Sequence, residues 1–199
     1  MAIDRFTLEF PTLKREKEAL EFIQEFNEEN VHPCGTNKLY TLTQSSSQFR
    51  NYEEWVDYSR NNRHTERSTT GVPTEPYFLI RERDQRIIGM ITIRFELNDY
   101  YWNNGGNIGY CIRKSERGKG YGKINLFLAL KICYKRDIEA VLLDCDQNNI
   151  ASKRVMQALD ARLIRSQWNE LRNSWKNNFV IDVTESVVNH FDEYMYQIF

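Results

Sequence analysis

From Arg5 to Phe10 apolar and charged residues alternate, the period of a strand with one buried face. Pro11 ends that run. Lys14 to Glu29 then takes the helical period, with Leu20, Ile23 and Phe26 on one face. A polar, turn-rich passage from Asn30 to Ser47 carries Pro33, Gly35 and a serine triplet. Phe49, Tyr52, Trp55, Val56 and Ser59 return at helical spacing and predict a second helix over 49–63, its aromatics directed at a core. Asn62 to Pro76 reads as a loop, long for a compact domain. Tyr77 to Arg83 and Ile87 to Leu97 read as an antiparallel pair about Asp84-Gln85-Arg86, and Asn98 to Asn107 as a loop dense in Asn, Gly and aromatics.

Ile108 to Arg113 is strand-like, and the long apolar run Ile124 to Tyr134 reads as a buried helix. Ala140 to Asp146 predicts a strand and Lys153 to Leu159 a helix. Arg162 to Leu171 and Trp175 to Val183 predict a hairpin turning at Asn173-Ser174. Thr184 to Phe199 sets Val187, Val188, Phe191, Tyr194, Met195 and Ile198 on one helical face, either to dock on its own domain or to meet a second copy in a homodimer. The order predicts a mixed α/β domain of the α+β type over 1–183, with a C-terminal helical extension over 184–199.

Composition narrows the classes. A chain of 199 residues, 41% hydrophobic and 13% aromatic, has ample material for a packed core. A net charge of −1 gives no bulk attraction to nucleic acid or to a membrane surface. Cys34, Cys111, Cys145 and Cys133 lack C-x-x-C spacing, and only His32, His64 and His190 could join them, so no zinc site is expected. Met1 to Pro11 lacks a signal-peptide core and no apolar run reaches membrane-spanning length. The expectation is a cytoplasmic protein with reduced thiols.

The chemistry concentrates between Ile112 and Lys123, Ile-Arg-Lys-Ser-Glu-Arg-Gly-Lys-Gly-Tyr-Gly-Lys. Gly118, Gly120 and Gly122 allow a tight bend just before a helix whose first N–H groups point into the loop, a ready anion site. Arg113, Lys114, Arg117, Lys119 and Lys123 crowd that turn, opposed locally by Glu116. Such a loop suits a pyrophosphate; the plain reading is a glycine-rich turn capping a helix. A P-loop is excluded because Ile124 follows Gly122-Lys123 where a hydroxyl is needed, and Arg117 stands where the opening glycine belongs. A dinucleotide fingerprint is excluded because position 123 is lysine.

What remains, Arg117-x-x-Gly120-x-Gly122, resembles the coenzyme A pyrophosphate loop of the GNAT acetyltransferase superfamily. The resemblance extends over about 75–182: the strand Ala140–Asp146 follows the motif helix, then Asn149-x-x-Ser152 opens a second helix. Arg94 to Tyr100, Gly105 to Tyr110 and Ser115 to Tyr121 are more narrowly similar to a bacterial branch of acetyltransferases known only by prediction. The resemblance implies a mostly antiparallel central sheet flanked by helices and splayed open after Tyr110. It implies acetyl-CoA as co-substrate, no metal, and a small-molecule or peptide amine as acceptor. It also makes the first helical region a wall of the acceptor pocket.

Acetyl transfer needs a neutral amine, fixed donors for the carbonyl oxygen and a proton for the departing thiolate. By the resemblance, the donor is a backbone N–H between Tyr110 and Ile112, with Ile112 the best match. The backbone of Arg117, Gly118, Lys119, Gly120, Tyr121, Gly122 and Lys123 would hold the pyrophosphate, with Arg113 beside it. Asn149 and Ser152 would flank the pantetheine arm, Asn149 also reading as a helix cap. Many members carry a tyrosine four residues after the serine; here Met156 stands there, and Tyr110 is a substitute. Asp160-Ala161 replaces the usual Gly-Phe. For the general base the candidates are Glu96, on a neighbouring strand, then Asp99 and Asp146. A coenzyme-binding sensor without turnover and a kinase-like phosphate site are the rival classes. Glu53, Glu54 and Asp57 admit a cationic acceptor.

Overall fold

The computed structural model describes residues 4–170 and 173–198, so Leu171 and Phe199, at the ends of two expected elements, lie outside the described residues. In chain order the elements are β1 (Phe6–Glu9), α1 (Glu16–Glu29), α2 (Tyr52–Asn61), β2 (Thr74–Arg81), β3 (Arg86–Arg94), α3 (Asp99–Asn103), β4 (Ile108–Ile112), α4 (Tyr121–Tyr134), β5 (Ala140–Asp146), α5 (Ile150–Gln157), β6 (Arg162–Asn169), β7 (Ser174–Asp182) and α6 (Val183–Tyr194). They form two antiparallel sheets, ordered β1-β2-β3-β4 and β5-β7-β6. No described helix is long and apolar enough to cross a membrane.

The first sheet is buried on both faces, which is why β2 and β3 read as continuous apolar runs. Phe22, Ile23 and Phe26 of α1 and Tyr52, Trp55 and Val56 of α2 pack with Phe78, Ile80 and Met90 on one side. Leu79, Ile88, Ile91 and Ile93 meet Leu126, Phe127 and Leu130 of α4 on the other. Helix α4 is apolar all round because α6 covers its outer side, where the Tyr194 ring lies 4.8 Å from that of Phe127. Asp182 caps α6 through the Glu185 N–H at 2.9 Å, and beyond the helix Phe6 donates to the Gln197 carbonyl at 2.8 Å. The expected single apolar face of α6 is divided: Val187 and Tyr194 are buried, whereas Val188, Phe191 and Met195 are exposed.

Two boundaries differ from the periodicity. Strand β2 starts at Thr74 and takes in Pro76; β1 pairs only with Phe78–Arg81, so this end of β2 is an edge, where proline is tolerated. Strand β3 stops at Arg94 instead of Leu97, because its last partner on β4 is Ile108 and the chain then bends towards α3.

The two sheets meet at one antiparallel bridge, Gly106 to Leu143. Beside it the Asn107 N–H donates to the Leu142 carbonyl at 2.7 Å, and the Asn107 side-chain oxygen accepts the Leu142 N–H at 2.8 Å. Past Asn107 strands β4 and β5 are both sheet edges, so the opening starts earlier than Tyr110. Asp144 secures the junction: it accepts the Gly105 N–H at 2.8 Å and is ion-paired with Lys176, the two side chains being 8% and 1% exposed.

Replacing Lys176 with methionine leaves a buried carboxylate uncompensated and is expected to cost about 3–5 kcal/mol in urea unfolding. The double variant Lys176→Met/Asp144→Leu should regain much of that loss; equal stability of wild type and Lys176→Met would show the pair to be inert. Acid provides a second check. Burial pushes Glu75 upward, but hydrogen bonds from Tyr77, Arg136 and Arg63 outweigh it and hold its pKa below the ordinary 4.5; Lys119 and Arg81 do the same against burial at Glu116. A carboxylate whose folded pKa is lowered contributes stability above its unfolded pKa and loses it as pH falls through the folded value. Thermal unfolding should therefore be level above about pH 5 and fall steadily below pH 4.5.

Candidate functional site

Strand β4 presents an unpaired edge to the gap. Arg94 N–H donates to the Asn107 carbonyl at 2.7 Å and Arg113 N–H to the Ile88 carbonyl at 3.0 Å, which makes the odd-numbered positions of β4 the hydrogen-bonded pairs with β3. Tyr110 and Ile112 therefore turn their N–H and C=O groups away from β3, towards β5. Cys111 turns its own towards β3 and cannot serve the gap. On the opposite side of β4, Gly35 rests on the strand; a Cβ there would lie 2.2 Å from the Gly109 oxygen, and the Gly35 carbonyl accepts Thr92 Oγ1 at 2.7 Å. The 30–51 passage is thereby pinned to β4 opposite the point where Tyr110 begins.

The glycine loop ends in the N-terminus of α4. Gly118 and Gly120 have φ of +78° and +83°, a conformation side chains resist, and a Cβ at either would meet nothing within 4 Å. Their glycines thus serve backbone shape and leave open space, whereas at Gly122, where α4 approaches α5, a Cβ would lie 3.0 Å from Val155 Cγ2. No side chain caps α4, and its first turn carries no acidic residue. The Tyr121 side chain turns down to Asp4, at 3.0 Å, so only its backbone faces the loop. This gives a 14-residue helix with unmasked N–H groups beside an open, positive-φ turn, a fit for a pyrophosphate.

The loop's cations are not free, contrary to the expectation that only Glu116 opposes them. Two carboxylates of α1 reach in. Arg113 is buried, donating to Glu25 at 2.7 Å and to the Ile87 carbonyl at 2.9 Å, so it braces the loop from behind instead of facing a ligand. Burial raises the Glu25 pKa, but Arg113 and Ser115 hydrogen bonds outweigh it and lower the net value. Arg117 pairs with Glu29, Lys114 lies 3.8 Å from the same carboxylate, and Lys119 binds Glu116 at 2.8 Å. Lys123 has no ion-pair partner among the described residues.

Across the gap, the Tyr110 hydroxyl lies 2.9 Å from Ser152 Oγ and 3.3 Å from the Ser152 carbonyl. Burial pushes the phenol well above its usual range, the Ser152 hydrogen bond opposes this, and the neighbouring Cys145 and Cys34 thiols add to the rise. Tyr110 is consequently a protonated group spanning the two halves. Asn149 accepts the Ser152 N–H at 3.0 Å, the cap that fixes Ser152 under Tyr110. Met156 is fully buried in the core.

The carboxylate candidates fare differently. Glu96 is not on a strand: it is exposed and lies five residues beyond Ile91, the partner of Tyr110, or ~16 Å along an extended chain. Asp99 opens α3 and is exposed. Asp146 accepts the Asn148 N–H at 2.8 Å and shapes the turn into α5. Glu54 and Asp57 are each paired with an arginine of their own neighbourhood, Arg50 and Arg60. Asp144 and Lys176, Glu25 and Glu29 were not anticipated, because each meets its partner only through the fold.

Against known proteins, the family model for the acetyltransferase (GNAT) domain matches residues 5–162. No curated protein matches the sequence. Among solved structures, RimJ of Mycobacterium smegmatis in complex with CoA-disulfide aligns with a TM-score of 0.68 at 13% identity, covering 96% of this chain and 92% of that one. The Salmonella typhimurium acetyl transferase that modifies the N-terminal serine of ribosomal protein L7/L12 gives 0.63 at 17% identity, over 89% and 95%. A chimera of Vibrio cholerae spermidine N-acetyltransferase SpeG with hSSAT gives 0.60 at 12% identity, over 92% and 98%. These identities speak for the fold, the family model for membership: the chain belongs to the GNAT acetyltransferase family.

Proposed function

We propose that the protein moves an acetyl group from acetyl-CoA to a primary amine by direct attack within a ternary complex, and that Tyr110 supplies the proton to the departing thiolate. The observation that carries this reading is the Tyr110 phenol, half-buried, protonated and 2.9 Å from Ser152 Oγ, in the same gap that the outward N–H groups of Tyr110 and Ile112 face. Ile112, with Tyr110 beside it, would donate its N–H to the acetyl carbonyl oxygen. The loop backbone from Arg117 to Lys123 would hold the pyrophosphate, and the Asn149–Ser152 turn would border the pantetheine arm. Bound there, acetyl-CoA brings the activated thioester; the chain's own part is to orient it, polarise it and hold one proton at Tyr110 Oη. Ser152 keeps that hydroxyl aimed at the gap.

The acceptor class we propose is a small-molecule or peptide amine. Structurally similar proteins are named for both an N-terminal serine and spermidine. Free cysteines at 34, 111, 133 and 145 support a reducing, cytoplasmic setting.

Calorimetric titration with acetyl-CoA should give micromolar affinity, about −8 kcal/mol, with no response to ATP and magnesium. Silence with acetyl-CoA would remove the loop assignment, and binding without transfer to any polyamine or N-terminal peptide would make the protein a sensor. Tyr110→Phe is expected to lower kcat about 100-fold while leaving acetyl-CoA affinity within about twofold. An unchanged kcat would take the proton-donor role away from Tyr110.

A further inference from the structure

We propose that Arg117 is a strap between β4 and α1 which coenzyme binding has to undo, so that Glu29 competes with the coenzyme for this cation. This rests on the reading of the glycine loop as the coenzyme site. Arg117 has three polar contacts within the chain. Its Nη1 donates to Glu29 Oε1 at 2.9 Å, its Nη2 lies 2.8 Å from Glu29 Oε2, and its Nε donates to the Ile112 carbonyl at 3.0 Å. The guanidinium also lies 5.5 Å from the Phe26 ring of α1.

Both ends of this strap matter. The Ile112 carbonyl belongs to the β4 edge that faces the gap, and an extended, amide-bearing arm lying along that edge needs it as an acceptor. Glu29 is the last residue of α1; Asn30 then ends the helix in the left-handed region, and the chain continues to Gly35, seated on Gly109. One side chain therefore ties the coenzyme edge to the passage that borders the other side of β4. An arm along β4 displaces Nε, and a pyrophosphate at the N-terminus of α4 competes with Glu29 for the cation. The two demands fall on the same residue.

The exchange is feasible because neither group is stranded by it. Lys114 Nζ already stands 3.8 Å from Glu29 Oε1 and can take over the carboxylate. Glu29 Oε2, although near Nη2, has no well-directed hydrogen bond, so the fork is only half aligned. The neighbouring pair behaves otherwise. Arg113 is buried, is also bonded to the Ile87 carbonyl, and its partner Glu25 accepts the Ser115 N–H at 3.1 Å. Arg113 is a brace and Arg117 a strap. Once Arg117 turns to the phosphate, the last turn of α1 loses this tie to β4.

The test is titration of coenzyme A into wild type, Glu29→Gln, Glu29→Asp, Arg117→Gln and the double variant Glu29→Gln/Arg117→Gln, each checked for cooperative unfolding. Glu29→Gln should tighten binding about fivefold, and Glu29→Asp, which keeps the charge but shortens the reach, about threefold. In the Arg117→Gln background the Glu29 change should alter affinity less than about twofold. Tightening by Glu29→Gln that is equal in both backgrounds, with Glu29→Asp unchanged, would reduce Glu29 to a distant charge and overturn the strap. Weaker binding by folded Glu29→Gln would overturn it in the other direction, by making the pair a support of the loop. A wild type that ignores coenzyme A overturns the functional reading itself, and the strap with it.

Discussion

Two β-strands that lie side by side without hydrogen-bonding are the constraint on which this molecule depends. Unpaired strand edges are normally covered or blunted, because each exposes a row of unsatisfied N–H and C=O groups. Here β4 and β5 are joined at Gly106–Leu143, and then separate. The separation is held open by chemistry, since Asn107 spends its side chain and backbone on Leu142 while Asp144, clamped by Lys176, takes the Gly105 N–H. Past this hinge the outward groups of Tyr110 and Ile112 have no strand to meet. A gap made by withholding backbone pairing keeps a row of donors and acceptors whose chemical complement is a chain bearing amides.

The rest of the site is arranged around that gap by packing. Helix α4 is buried on all sides, which sets its N-terminus at the end of β4 without any side-chain cap. Helix α5 is set close to α4 by Gly122, and its Asn149 cap presents Ser152 to Tyr110. The tyrosine that the family commonly carries four residues after the serine is absent, and position 156 has been absorbed by the core; Tyr110 approaches the same gap from the opposite wall.

Local spacing was legible in the sequence, and contacts between distant segments were not. The glycine loop, the strand before it and the Asn149–Ser152 turn are defined by neighbours within a few residues, and all appear where the motif put them. Most elements announced themselves by period. The end of β3 did not, because it is set by how far β4 can pair, and that displaced Glu96 from the strand. Glu25 and Glu29 lie some 88 residues from their partners Arg113 and Arg117, so the loop looked far more positive in one dimension than it is in three. The outward half of α6 escaped for a related reason: six apolar residues suggest one stripe, but only the half that meets α4 is covered.

That partly neutralised loop has a kinetic side. Long-range attraction of an anion depends on net charge, not on how many lysines and arginines a segment contains. Arg113, Lys114, Arg117, Lys119 and Lys123 stand against Glu25, Glu29 and Glu116, so the excess falls from four positive charges, with Glu116 alone counted, to two, and the field at the mouth of the gap weakens with it. An anion nearing this turn is therefore drawn in less strongly than its lysines and arginines alone would draw it, and its encounter rate falls less steeply with ionic strength than five unpaired cations would make it fall.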